Sequence, residues 1–132
     1  MSELPNTVTS LEGMFAGCSG IIGRINRGLL NKVPELVTLK DAFSGTGLYG
    51  AIESRKSDYS KEDPTTWGFF DFVPKLSNLE NAFSNTKLDA IDEFVFEPVK
   101  NSLMSIDYCF SNCYNLKTVL DTNDVTYQDS AF

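Results

Sequence analysis

Apolar residues recur along the chain in segments of eight residues that end in phenylalanine. Each octapeptide has an aliphatic residue seven and four positions before the phenylalanine, and a small or flexible residue just before it. Four clear copies span residues 8–15, 36–43, 76–83 and 103–110, and a fifth, 125–132, carries Gln128 where the others carry leucine or isoleucine. This spacing is typical of a helix or of a series of turns.

A short apolar stretch follows each of the four clear octapeptides after a turn rich in glycine, serine and asparagine. These stretches, 21–25, 48–52, 88–91 and 116–120, are typical of short strands. A repeat unit of about 27 residues cannot bury its own apolar face, so copies must stack on one another. We therefore expect a solenoid in which the strands form a parallel sheet and the phenylalanines form an internal column.

The repeats resemble those of BspA-type leucine-rich-repeat proteins, a bacterial and phage group whose signature contains Ala-Phe, a Gly/Asn-Cys/Thr turn and a following leucine. The stretches 14–18 (Met-Phe-Ala-Gly-Cys) and 42–46 (Ala-Phe-Ser-Gly-Thr) carry the resemblance most clearly. It implies one α/β leucine-rich-repeat solenoid over residues 1–132, with four to five units, short parallel strands and helical or turn segments. It also implies recognition or adhesion without catalysis.

One polar segment, residues 53–66, interrupts the second unit and has no counterpart in the others. It reads as an exposed loop that leads into Trp67-Gly68-Phe69-Phe70. We expect Phe69 or Phe70 to fill the core position that Leu29 or Leu30 fills one unit earlier. Tyr59 and Trp67 have no counterparts in the other units, so they are the predicted partner-binding residues.

Composition narrows the chemistry that the chain can perform. Eleven Lys and Arg against eighteen Asp and Glu give a net charge of −7, which disfavours nucleic acid and anionic membranes as partners. No apolar run is long enough to span a bilayer. The chain has no histidine, the commonest general base and metal ligand. We expect no enzymatic activity, no cofactor and no metal site.

Two further motifs favour structure over chemistry. Gly45-Thr46-Gly47-Leu48-Tyr49-Gly50 spells a dinucleotide-binding pattern, but a strand-like segment follows it where that site needs a helix. Gly45 shares its repeat position with Gly17, Asn85 and Asn112, all tolerant of positive φ.

Cys18 and Cys113 share a repeat position with Thr46 and Thr86. This position therefore favours a small, buried side chain that forms a hydrogen bond to a nearby group. Three cysteines without a signal peptide favour reduced thiols, and the alternative of one disulfide between two of them remains.

The sequence therefore predicts a protein–protein interaction or assembly module, as a bacterial or phage structural or surface component. The alternative is a glycan- or host-receptor-binding adhesin module that uses the aromatic residues of the insertion. Self-association through an uncapped end of the solenoid is a further expectation, because solenoids need polar caps. If Met1 is the native start, the missing signal peptide favours the cytoplasm or a virion; a fragment of a larger protein would favour the cell surface.

Overall fold

The computed structural model describes residues 6–92, 94–116 and 131. Its sheet has three parallel strands, in which β1 (Ile22–Arg24) pairs with β2 (Gly47–Ile52) and β2 pairs with β3 (Lys87–Ile91). Two 3₁₀ helices span Pro64–Thr66 and Glu97–Val99. The sheet confirms three of the four predicted strands. The fourth lies outside the described residues except for Leu116.

The four clear octapeptides lie side by side in chain order. Isolated parallel bridges join Ser10 to Thr38, Thr38 to Asn78, and Asn78 to Ser105. Backbone hydrogen bonds connect equivalent positions of successive octapeptides, and we call this arrangement the octapeptide ladder. Most of the fifth octapeptide lies outside the described residues. Its Ala131 is buried, and its carbonyl accepts the Phe110 N–H at 2.9 Å, as Cys109 accepts from Phe83.

The phenylalanines that end the octapeptides form the predicted internal column. The ring centroids are 5.7 Å apart for Phe15 and Phe43, 5.5 Å for Phe43 and Phe83, and 6.1 Å for Phe83 and Phe110, and all three pairs are stacked. Phe83 is fully buried, whereas Phe15, at the first end, is only partly buried. Phe69 and Phe70 are both buried, as is Leu30 one unit earlier, whereas Leu29 is exposed.

Each octapeptide is a series of turns and not a helix. The N–H just before each phenylalanine donates to the carbonyl three residues earlier, as Ala82 does to Leu79 at 3.0 Å. Two residues before the phenylalanine, and again two residues after it, the backbone has positive φ. The residues are Gly13, Gly17, Asp41, Gly45, Asn81, Asn85, Tyr108 and Asn112. Because a right-handed helix cannot continue through such residues, the chain turns about every four residues.

The predicted α/β leucine-rich-repeat solenoid with helical segments is therefore wrong as a fold class. The described residues contain no α-helix, and their strands form a single three-stranded parallel sheet. The rest of this part of the chain consists of turns, isolated bridges and the two 3₁₀ helices. The error has a physical cause, because apolar residues at positions i, i+3 and i+7 face one side in a series of turns as well as in a helix.

The insertion is fixed at its base by Arg27. The Arg27 guanidinium donates to the carbonyls of Ser54 (2.9 Å) and Trp67 (2.6 Å) and pairs with Glu53 at 2.9 Å. Asp63 caps the first 3₁₀ helix by accepting the Thr65 N–H at 3.1 Å. The insertion is mostly exposed, as predicted, and it is also internally hydrogen-bonded and tied to the first unit.

Among the described residues, no helix has the length and apolarity that a bilayer span requires.

Candidate interaction surface

The predicted contact residues Tyr59 and Trp67 are partly exposed, and both rings already have intramolecular partners. The Arg55 guanidinium lies over the Tyr59 ring, 3.9 Å from its centroid. Trp67 meets Phe72 edge-on at 4.8 Å, and its indole N–H donates to the Lys61 carbonyl at 3.2 Å. Trp67 also closes over Gly28, where an added Cβ would come within 3.0 Å of the indole ring. Trp67 thus holds the insertion against the body of the protein, whereas the contact between Tyr59 and Arg55 lies within the insertion.

A cleft of about 350 Å³ lies beside the insertion, and its lining residues are Ser54, Arg55, Asp71, Phe94, Glu97 and Pro98. Asp71 is nearly buried, and its Oδ2 accepts from Arg55 Nε at 3.0 Å and from the Gly68 N–H at 2.9 Å. Asp71 Oδ1 has no hydrogen-bond partner within the described residues. The Ser54 hydroxyl donates to Asp92 at 3.2 Å, and the same carboxylate accepts the Ser54 N–H. These bonds fix the base of the insertion.

The cysteine and threonine column has the predicted structure at three of its four positions, and Cys18 is the exception. Thr46 and Thr86 are buried, and each hydroxyl donates to the carbonyl of the phenylalanine three residues earlier, at 2.9 and 2.8 Å. Cys113 takes the equivalent buried position, with its thiol 3.3 Å from the Thr86 hydroxyl, whereas Cys18 is exposed. All three thiols are free. In the described part of the chain, no cluster of three or more Cys, Asp or Glu could hold a metal ion.

The Cys109 thiol lies in the core, at the repeat position that Ala42, Ala82 and Ala131 occupy in other units. Burial raises its pKa well above the ordinary value, and the neighbouring Cys113 thiol raises the pKa further. Cys109 therefore stays protonated in the folded chain, in the state that is a poor nucleophile and metal ligand.

We expect Cys109→Ala to remove part of the loss of stability at alkaline pH. Above about pH 8.5 the unfolded chain ionises this thiol while the folded chain does not, so stability falls as pH rises, by up to about 1.4 kcal/mol per unit. Below that pH the thiol is neutral in both states and contributes no slope. The measurement is urea unfolding between about pH 7 and about pH 10.

Cys18→Ala is the matched control for this prediction, because Cys18 is exposed in the folded chain. Its unfolding over the same pH range gives the effect of removing a cysteine outside the core. If the free energy of unfolding falls with alkaline pH equally in the wild type and in Cys109→Ala, the prediction that the Cys109 thiol stays neutral in the core is wrong. The Cys109→Ala variant should fold, since the two neighbouring units already carry alanine at this repeat position.

The glycines of the dinucleotide-like motif have structural roles in the ladder and the sheet. Gly45 has φ of 75°, and Gly17, Asn85 and Asn112 have φ of 73°, 58° and 60° at the same repeat position. The structure thus confirms that this column requires residues tolerant of positive φ. The segment leads into β2 and not into a helix, so no helix N-terminus is available for a phosphate.

Sequence reasoning missed one surface, which we call the open edge and define as residues 10–24. It comprises the outer side of the first octapeptide and β1, the edge strand of the sheet. Ile22 is 73% exposed. Met14 is 46% exposed although its repeat equivalents Ala42 and Ala82 are fully buried. Methionine at position 14, where the other clear repeats carry alanine or cysteine, was the feature of the sequence that could have indicated this surface.

Backbone acceptors line the open edge. In the second repeat unit the carbonyls of Thr38, Lys40, Ala42 and Ser44 accept N–H groups of the first unit. The equivalent carbonyls of the first unit belong to Ser10, Glu12, Met14 and Ala16. Within the described residues no donor reaches them.

Comparison with known proteins adds no identification: no family model, curated protein or solved structure matches the chain.

Proposed function

We propose that this chain is a non-enzymatic protein–protein interaction or assembly module, and that the open edge is its contact surface. The observation that carries the proposal is the row of four backbone carbonyls at positions 10, 12, 14 and 16, which lack donors among the described residues. A backbone edge with free hydrogen-bonding groups can pair with a segment of another chain, as the edge of a sheet does.

The open edge lacks the features that usually prevent a strand edge from pairing with another chain. Proteins usually protect such edges with lysine, proline, bulges or clusters of charge. Residues 10–24 contain no lysine and no proline, and their charged side chains are Glu12 and Arg24. Added Cβ atoms at the glycines of this edge, Gly13, Gly17, Gly20 and Gly23, would meet nothing within 4 Å. A partner backbone can therefore approach closely along most of its length.

The glycan-binding alternative has less support from the same structure. Sugar recognition by aromatic residues needs an open ring face. The Tyr59 ring is covered by Arg55 on one face, and Trp67 packs against Phe72 and Gly28. The apolar side chains at the open edge, Met14 and Ile22, are aliphatic and suit a protein surface better.

The proposal is tested by placing a photo-crosslinking residue, p-benzoylphenylalanine, at position 22. Position 22 is strongly exposed and lies on the edge strand, so the probe should not disturb the core. After irradiation of the full chain in its native cells, we expect protein adducts at this position, identified by mass spectrometry. These adducts include any second copy of the chain.

The matched control places the same probe at Phe94, which is 60% exposed and lies outside the open edge. Adducts at position 22 that are absent at position 94 support the proposal. If neither position yields a protein adduct, or both yield the same adducts, the open edge is not a protein contact surface.

A further inference from the structure

A cleft of about 390 Å³ lies between the end of β1 and the insertion. Its lining comes from residues 24–27 and from Glu53, Lys56, Pro64 and Thr65. Arg24 is the last residue of β1 and belongs to the open edge. The cleft is therefore continuous with the proposed contact surface, and we call it the basic cleft.

The charged side chains of the basic cleft are mainly cationic. Its lining includes Arg24, Arg27 and Lys56 but only one acid, Glu53. Glu53 pairs with Arg27 at 2.9 Å, and Arg27 also donates to two backbone carbonyls. Arg24 and Lys56 form no ion pair with any described carboxylate. Two cations in one concave site favour an anionic partner.

Most other Lys and Arg side chains in the described part of the chain are ion-paired. The pairs are Lys40–Glu80, Arg55–Asp71, Lys75–Glu35 and Lys100–Glu97. Asp63 of the insertion accepts the Thr65 N–H at 3.1 Å and the Thr65 hydroxyl at 2.7 Å, and it forms no ion pair with Lys56. The unpaired cations of the basic cleft are thus available to an acid from outside the chain.

The hydrogen-bond donors of the basic cleft suit a carboxylate. The Arg24 guanidinium lies over the Tyr49 ring, 5.6 Å from its centroid, and presents a planar set of donors that matches a carboxylate. The Asn26 side-chain oxygen accepts the Gly28 N–H at 2.7 Å. The Asn26 NH₂ group therefore remains as a further donor, and no described acceptor binds it.

The exposed face of the sheet continues this pattern. Arg24 pairs in register with Tyr49, and Tyr49 pairs with Lys87, so the three side chains share one face. Lys87 is exposed and forms no ion pair with a described carboxylate. Ile22 lies on the same face two residues before Arg24 and is 73% exposed. A segment along this face would contact an apolar side chain and then a row of cations.

From these contacts, we infer that the partner of the open edge presents an acidic protein segment. Its backbone N–H groups bind the carbonyls of the open edge, and its carboxylates bind Arg24, Lys56 and the Asn26 amide in the basic cleft. This inference rests on the proposed function and names the chemistry of the partner.

A protein segment fits this surface better than a nucleic acid does. Only a polypeptide offers the backbone N–H groups that free carbonyls need, together with anionic side chains. The net charge of −7 also opposes a polyanion at long range. It opposes a short acidic segment less, because residues 1–88 contain ten acids and nine bases, and charges beyond about 10 Å are largely screened.

The first test uses the purified full chain and a fluorescein-labelled peptide of alternating glutamate and serine, with fluorescence anisotropy as the measurement. We expect saturable binding that weakens as the salt concentration rises, because exposed charges form the contact. The same peptide with glutamine in place of glutamate should bind at least about tenfold more weakly. Equal binding of the two peptides, or no binding of the acidic one, would overturn the inference.

Lys56→Glu reverses one charge of the basic cleft and should weaken binding of the acidic peptide at least about fivefold. Lys61→Glu is the matched control, because Lys61 is also an insertion lysine without a described ion pair, but it does not line the cleft. This control should bind like the wild type. Equal losses in both variants would show a general effect of net charge and overturn the inference. Circular dichroism and thermal unfolding check that both variants are folded.

Crosslinking from position 22 separates this inference from the proposed function. The protein adducts should decrease in the Lys56→Glu background and persist in the Lys61→Glu background. Adducts that persist in both would reject the acidic segment and retain the interaction module. Single-stranded DNA of equal charge that binds more tightly than the peptide would reject a protein segment as the occupant. The absence of any adduct at position 22 would reject the proposed function and this inference with it.

Discussion

Phe83→Ala is expected to lower the free energy of unfolding by about 3–5 kcal/mol, the cost of removing a fully buried aromatic ring and leaving a cavity. Phe83 has no exposed surface and lies between Phe43 and Phe110 in the column, with Phe69 edge-on at 6.0 Å. Its neighbours belong to different units, so they cannot collapse into the space without breaking ladder hydrogen bonds. Urea unfolding followed by circular dichroism measures the change.

The control for this prediction is Phe15→Ala at the open end of the same column. Its ring is only partly buried and stacks on a single neighbour, so the expected loss is about 1–2 kcal/mol. If Phe83→Ala leaves the chain unfolded, Phe83→Leu gives a measurable intermediate loss. A loss below about 1 kcal/mol for Phe83→Ala would contradict the aromatic column.

Asn85→Val is expected to destabilise the chain by about 1–3 kcal/mol, although the Asn85 side chain is exposed. Asn85 has φ of 58°, and a β-branched residue is strongly disfavoured there. Its N–H donates to the Ser111 carbonyl at 2.8 Å, so relaxing the backbone would break a bond between two units. Thermal and urea unfolding of the variant measure the loss.

Asn85→Gly is the matched control, because glycine adopts positive φ without strain and the repeat carries glycine at this position in its first two units. Its stability should stay within about 0.5 kcal/mol of the wild type. Equal losses for valine and glycine would show that the asparagine side chain matters and that the left-handed turn does not. Such a result would contradict the turn structure of the ladder.

Much of the architecture could be predicted from the spacing of residues alone. The phenylalanine period identified the column, and the apolar stretches after each turn identified the strands of the parallel sheet. The shared position of Gly45 and Asn85 identified the left-handed turns, because few residue types tolerate positive φ. The threonine and cysteine column was predictable for a similar reason, since it needs small side chains that bond to a nearby carbonyl.

The backbone conformation of the octapeptides could not be predicted from the same pattern. Apolar residues at positions i, i+3 and i+7 face one side both in a helix and in a series of turns, so this pattern is compatible with either conformation. The decision comes from contacts between units. Asp41 and Asn81 adopt positive φ, and their N–H groups bond to a neighbouring unit instead of the preceding turn.

The candidate surface depended still more on tertiary structure. Tyr59 and Trp67 were the predicted contact residues because they lack counterparts in the repeat. In the structure Arg55 packs on the Tyr59 ring and Phe72 packs on the Trp67 ring. The open edge consists of ordinary repeat residues, and its carbonyls differ from those of later units only because no described unit lies beside them. Which residues stack follows from side-chain type and period, and both can be read locally along the chain. Which backbone groups lack a neighbour depends on where each unit lies in the stack, so it follows only from the folded arrangement.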